Sequence, residues 1–217
     1  MFLGANSQQI GLKTTTVTNA AFITALYVPA VPLLGWLLLK HRSHWMVIPA
    51  SLGCVIGTIL LSGGSINEWH TGDTWVAAGV LCWSAHVVYL GLIVNKTHRP
   101  MTMAVTQFFT CGLISLGFAA FFEGDIFNGL GVAWFEIFYS GVMSVGVGYT
   151  LQLVGQRFTH SSDAAIILSS EALFATLAGM IFLNEQLAIV QLAGCFIILA
   201  CVIWVQLLPG TEITNPK

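Results

Sequence analysis

The chain reads as a succession of long apolar runs separated by short polar breaks. A helix of about 20 apolar residues crosses the hydrocarbon layer of a bilayer. Seven runs meet that length, over 17–39, 45–63, 74–95, 101–122, 132–154, 162–184 and 187–208, and each predicts a membrane-spanning segment. Lipid offers no partner to backbone N–H and C=O groups, so such segments must be α-helices that satisfy themselves. Ahead of them, "MFLGANSQQIGL" is too short and too polar to span alone and reads as the tail of an eighth helix. The predicted fold class is all-α, a polytopic transmembrane helix bundle.

The polar breaks orient the bundle. Lys40, Arg42, Lys96, Arg99, Arg157 and Lys217 fall on one side, whereas Glu68, Asp73, Glu123, Asp125, Glu136 and Glu185 fall on the other, with Lys13 the exception. Lys and Arg accumulate on the cytoplasmic side of short loops, which predicts a cytoplasmic C-terminus and a bacterial inner-membrane location. Trp45 near the inner boundary, and Trp69, Trp75 and Trp134 near the outer one, fit an aromatic belt.

Composition adds exclusions. The 217 residues are 56% hydrophobic and 7% charged, with a mean hydropathy of +0.85. Soluble domains carry roughly 25% charged residues, so the lipid bilayer is the expected surrounding. A formal net charge of −2 leaves no basic face for a nucleic-acid partner. Cys54, Cys82, Cys111, Cys195 and Cys201 lie in apolar runs without CxxC spacing, which indicates neither a disulfide frame nor a metal site. There is no phosphate-cradling glycine loop, so no nucleotide cofactor is expected. No nucleophile–base pair stands at convincing spacing, and an enzyme is not predicted.

An internal repeat appears at an offset of 144 residues. "IGLKTTTVTNAAFITALYVPAVPLLGWLLL" lies over "VGQRFTHSSDAAIILSSEALFATLAGMIFL" without a gap. Gly11, Thr15, Ala20, Ala21, Gly35 and Leu39 match Gly155, Thr159, Ala164, Ala165, Gly179 and Leu183, while Lys13 faces Arg157 and Asn19 faces Asp163. The first copy enters from outside and the second from inside, so the copies are inverted. Inverted repeats are a mark of secondary transporters, which place substrate near the midplane between them.

The pattern "GQR.T...AA...LSSEALFATLAG...LNEQL....LAG..II" resembles the drug/metabolite transporter superfamily, specifically its EamA-type permeases. The resemblance covers nearly the whole chain and is strongest at 149–200 and 10–62. It implies a plan of ten helices in two inverted five-helix repeats. On that plan 1–64 is the remainder of a first repeat lacking its first two or so helices, 71–208 is a complete second repeat, and 209–217 is a cytoplasmic tail. Two positions depart from the family pattern. Its Glu-Pro appears here as Glu171-Ala172, so no kink proline stands there, and Tyr27 replaces the glutamate in the first copy, followed by Pro29 and Pro32.

Glu171 is the leading site candidate. It lies about nine residues past its helix start, roughly 13 Å deep at 1.5 Å per residue. An ionised carboxylate there costs at least ~2.5–3.5 kcal/mol on insertion scales, so it must face water, pair with a donor or carry a proton. A substrate contact or proton-coupling site is one reading; an acid hydrogen-bonded to a neighbouring helix, through Ser169 or Ser170, is the other. His86 is the second ionisable group within a span. Trp83 and Tyr89 stand three residues away on either side, on the same helix face. That face either cradles a flat or cationic metabolite or holds helices together.

Tyr149 and Gln152 share a face, as do Thr106 and Thr110, with Gln107 beside them; these line a cavity or serve helix packing at a modest ~0.6 kcal/mol each. Tyr27, as repeat partner of Glu171, would face it across the pseudo-two-fold axis. Asn6, Gln8 and Gln9 carry the same two readings. Asp163 and Arg157 read as structural, an acid in a first turn and a cytoplasmic anchor. Gly53 and Gly57, and the thinned stretch at Gly141, Gly146 and Gly148, predict close helix packing.

These residues predict a secondary-active permease that moves, and by resemblance exports, a small neutral, zwitterionic or cationic metabolite by alternating access. No Lys or Arg lies deep in a span to hold a strongly anionic substrate. The alternative is a truncated, non-transporting membrane protein or assembly partner whose polar residues serve packing. Partners in either case are a small-molecule substrate, the bilayer, and a second copy or a complementing chain.

Overall fold

The computed structural model describes residues 1–40, 44–63, 69–122, 131–182 and 186–207. Arg42, Glu68, Glu123, Asp125, Glu185 and Lys217, used above to assign sides, and the 209–217 tail lie outside the described residues. All regular structure among the described residues is helical. In chain order these are α1 (Phe2–Leu12), α2 (Val17–Ala25), α3 (Tyr27–Leu39), α4 (Val47–Leu61), α5 (Thr71–Thr97) and α6 (Pro100–Phe122). There follow α7 (Trp134–Tyr139), a π-helical stretch Ser140–Tyr149, α8 (Thr150–Gln156), α9 (Ser161–Leu168), α10 (Glu171–Phe182) and α11 (Ile189–Gln206).

Six of the spans predicted from hydropathy are long and apolar enough to cross a membrane: Asn19–Leu38, Thr71–Thr97, Pro100–Phe122, Trp134–Gln156, Ser161–Phe182 and Ile189–Gln206. The remaining one, Val47–Leu61, is a shorter apolar helix.

Two spans that hydropathy drew as continuous are divided. The first breaks at Leu26, between α2 and α3. Pro29 lacks the N–H that would bond the Ala25 carbonyl one turn back, and its ring crowds that carbonyl. The second breaks at Ser169–Ser170, between α9 and α10. No proline is present, but Ser169 Oγ donates to the Ile166 carbonyl at 2.6 Å, a local bond of the kind that competes with helix continuation. The missing family proline therefore does not leave this span straight. The breaks obey the 144-residue offset: α2 and α9 begin at Val17 and Ser161, and α3 and α10 at Tyr27 and Glu171.

Residues 3–89 and 159–217 form one compact unit, and residues 1–2 and 90–158 another. In the first, α4 packs on α11 along a seam of small residues. A Cβ added at Gly194 would stand 2.5 Å from the Gly57 carbonyl oxygen and 2.6 Å from Leu61 N, while Gly53 abuts Cys201 Sγ. The predicted Gly53–Gly57 step thus does bring backbones together. The same helices share a core of Val28, Val47, Ala50, Cys54, Ile166, Cys201 and Val205. At one end of the pair the Gln191 amide donates to the Leu61 carbonyl at 3.1 Å, so the end of α4 and the start of α11 share a side, as alternating crossings require.

In the other unit, Leu90, Val94, Ala104 and Leu153 form the core, with Met103 and Phe108 against it. Its π-helical stretch lies where the sequence is thinned by Gly141, Gly146 and Gly148. π geometry is rare and is found preferentially at functional positions.

Candidate functional site: polar groups around the divided helices

Glu171 is the first residue of α10 and is exposed. It sits at the N-terminal, positive end of a half-helix, where an anion is favoured electrostatically, rather than midway along a continuous one. Ser169, one of the two partners considered for it, is engaged elsewhere: its hydroxyl bonds Ile166 O and lies 3.3 Å from Cys54 Sγ.

Tyr27 opens α3 as Glu171 opens α10. Its ring is half-buried and packs against three separate core clusters. Its hydroxyl donates to the Ala165 carbonyl at 3.3 Å. Ala165 is in the last turns of α9, so the tyrosine ties one divided helix to the other.

Trp83 and His86 are brought together on α5. Their rings meet edge to face, with centroids 5.8 Å apart and planes at 75°. Tyr89, assigned to the same face by spacing, is 62% exposed. On α1, Gln8 Oε1 accepts from the Trp83 indole N–H at 3.3 Å. Gly4 lies beneath the indole, where an added Cβ would stand 3.1 Å from its ring carbons. The N-terminal piece that hydropathy left as a fragment is therefore the wall against which the aromatic face rests.

Tyr149, Gln152 and Gln107 belong to the other unit. Tyr149 closes the π-helical stretch and Gln152 follows in α8, both half-buried. Gln107, on α6, has its amide nitrogen and oxygen shielded, with no hydrogen-bond partner among the described residues. Buried amides are rarely left so, which keeps Gln107 a candidate for contact with something other than protein.

Asp73 was counted above only as an acid on one side of the bundle. Its carboxylate is fully buried and accepts from the Thr15 hydroxyl, from Asn19 Nδ2 at 3.1 Å and from the His70 backbone N–H at 2.8 Å. His70 Nδ1 lies 3.9 Å away. The spacing His70–Asp73 is the i, i+3 arrangement by which a third-position acid reaches back to the capping N–H of its own helix. The run of threonines at 14–16 and the first turn of α2 supply the rest. These contacts fix the α1–α2 junction and the start of α5 on the same side, in agreement with the loop assignment. No group of His, Cys, Asp and Glu among the described residues could hold a metal ion.

Comparison with known proteins bears on the whole. The EamA-like transporter family matches residues 70–207. An uncharacterized transporter of Archaeoglobus fulgidus is 35% identical over 213 residues, which is 95% of this chain and 66% of that protein. The threonine/homoserine exporter RhtA of Salmonella typhimurium is 25% identical over 207 residues, 92% of this chain and 63% of the exporter; its Escherichia coli K12 counterpart is 23% identical over 206 residues. The chain thus spans a little under two thirds of the length of these relatives. A crystal structure superimposes with a TM-score of 0.78 over 95% of this chain and 72% of that one, at 17% identity, a likeness of fold. With a family match across more than half of its residues, an all-helical fold and spans of membrane length, this integral membrane protein belongs to the EamA-like transporter family.

Proposed function

We propose that the chain acts in a secondary-active permease that exports a small neutral, zwitterionic or cationic metabolite by alternating access. The observation that carries this reading is the pair of divided helices at repeat-equivalent positions, with Glu171 at the start of α10 and Tyr27 at the start of α3. Discontinuous helices near the midplane are where secondary transporters hold substrate and coupling ion. The 1–64 and 71–208 segments are the two inverted repeats of this proposal. Lys40, Lys96, Arg99 and Arg157 mark the cytoplasmic side, with the C-terminus there and the inner membrane as location.

Glu171 is assigned to the substrate ammonium or to a coupling proton, and Trp83 with His86 to the wall of the binding space. Tyr149, Gln152 and Gln107, which belong to the other unit, are assigned as neutral hydrogen-bonding groups for substrate, and Tyr27 as the strut that holds the two breaks in register. The name of the Salmonella relative, a threonine/homoserine exporter, supports a small amino acid as the class of substrate.

The test is L-threonine flux in proteoliposomes under an imposed pH gradient, with the chain alone and with a complementing chain co-reconstituted. Glu171→Gln is expected to abolish gradient-driven flux. Unchanged coupling in the variant refutes the role given to Glu171. Flux only when a second chain is present favours the assembly-partner reading.

A further inference from the structure

The bond between Trp83 and Gln8 has a forced polarity. An indole N–H donates and never accepts, so the Gln8 atom 3.3 Å from Trp83 Nε1 must be the amide oxygen. An amide in a glutamine side chain can turn either way, but here the donor-only ring fixes it. The Gln8 oxygen is thereby occupied and its nitrogen, with two N–H donors, is turned away from the ring. That nitrogen has no hydrogen-bond partner among the described residues, and it is not among the shielded polar atoms. Gln8, Trp83 and His86 are each half-buried.

The ring's own position is equally determined. Gly4 brings the α1 backbone against the indole, and His86 meets it edge-on from the next turn of α5. The indole that anchors the Gln8 oxygen is thus met by Gln8, by Gly4 and by His86, and the Gln8 amide lies beside it.

We propose that Gln8 is a specificity-determining residue whose amide N–H2 takes the carboxylate of a small zwitterionic substrate. This rests on the reading of the chain as a permease for such substrates, and gives that reading its anion-recognising group. A carboxylate in this pathway meets no Lys or Arg deep in a span, so neutral donors must take it. A neutral amide also holds an anion less tightly than a guanidinium fork does, which suits a carrier that must let go on the far side. Trp83 and Gly4 act as positioning residues for this donor.

The test is calorimetric titration of the full chain in lipid nanodiscs with two probes, L-threonine and threoninol, which keeps the ammonium and the side-chain hydroxyl but carries a primary alcohol in place of the carboxylate. Gln8→Glu keeps an oxygen for the Trp83 N–H and replaces the free N–H2 by a second oxygen. Loss of a hydrogen bond to a charged group predicts that the Kd for L-threonine rises by about tenfold or more in the variant, with threoninol binding unchanged. Gln8→Met, of similar volume and without donors, is the second variant should the first not fold, and it is expected to show the same selective loss. Equal weakening of both probes, or no weakening of either, overturns the role of Gln8 and leaves the permease reading standing. Failure of the wild-type chain to bind either probe overturns the permease reading for this substrate class, and the role of Gln8 with it.

Discussion

Removing the Asp73 carboxylate tests whether the α1–α2 junction is locked to α5 as the geometry implies. The carboxylate is fully buried and receives three hydrogen bonds, from the Thr15 hydroxyl, the Asn19 amide and the His70 backbone. Asp73→Ala removes the acceptor of all three bonds. Stripping the partner from a deeply buried charge cluster costs about 3–5 kcal/mol. This cluster sits in the first turn of α5 rather than midway along the span, so the freed donors regain water more readily. A loss of about 2–3 kcal/mol is the expected value, within the range of one or two hydrogen bonds to a charged group. For a chain of this length each kcal/mol moves the unfolding midpoint by roughly 2–4 °C, so a fall of about 4–12 °C is expected.

Asp73→Asn separates charge from shape. The amide oxygen in the Oδ2 place still accepts from His70 and Asn19, while its N–H2 group in the Oδ1 place meets the Thr15 hydroxyl, which must turn to accept, so about half the loss is expected with the charge gone. Thermal unfolding in nanodiscs, followed by intrinsic tryptophan fluorescence, gives the numbers. A double-mutant cycle with Asn19→Ala isolates the one bond and should return a coupling of about 1 kcal/mol, since residues in one hydrogen-bond network are not additive. An Asp73→Ala midpoint within about 2 °C of wild type would refute the reasoning, because it would mean the buried carboxylate had gained nothing from its donors beyond its own desolvation.

Two further outcomes follow from packing. Gly194→Ala places a methyl group 2.5 Å from the Gly57 carbonyl oxygen and should destabilise by about 1–3 kcal/mol as an overpacked contact; Gly35→Ala, with nothing within 4 Å of the added carbon, should be neutral or stabilise by roughly 0.5–1 kcal/mol through helix propensity. Urea or SDS titration of the two variants in parallel checks the contrast, and equal effects would show that the α4–α11 seam is looser than drawn. Tyr27→Phe deletes only the hydroxyl that reaches Ala165 O, and a loss of about 0.5–1.5 kcal/mol is expected; a larger loss would mean that the tie between the two divided helices is a cooperative one.

Hydropathy made the number and placement of the spans legible, because a bilayer imposes one length and one backbone solution on any segment that crosses it. The breaks were less legible. Pro29 carries a mechanism that can be read, whereas Ser169 breaks its helix through a bond to Ile166 O that depends on a rotamer, not on residue type alone. Trp83 and His86 were nominated by three-residue spacing and do meet, since neighbours on one helix need no tertiary knowledge. Gln8 and Asp73 are different. Their partners stand 75 and 58 positions away along the chain, and only the packing of α1 on α5 reveals them. The repeat offset read from identical residues recurs in the helix starts, at Val17 and Ser161 and at Tyr27 and Glu171.

Glu171 and the helix break beside it pose the same physical demand. Irregular backbone at membrane depth is tolerated only where it is enclosed by protein or lines a water-filled space. An ionised carboxylate facing hydrocarbon costs at least about 2.5–3.5 kcal/mol. Glu171 is exposed in the structure and opens α10 directly after the Ser169–Ser170 break, so both costs fall at one point of the span. A single hydrated cavity beside that point removes both, and a fully lipid-facing surface removes neither. The first-turn position adds the favourable end of the α10 dipole to an anion, which lowers the cost of keeping the group charged and available. On the function proposed above, substrate or proton access at the junction of α9 and α10 would supply that hydration, and the divided helix and the carboxylate would share it.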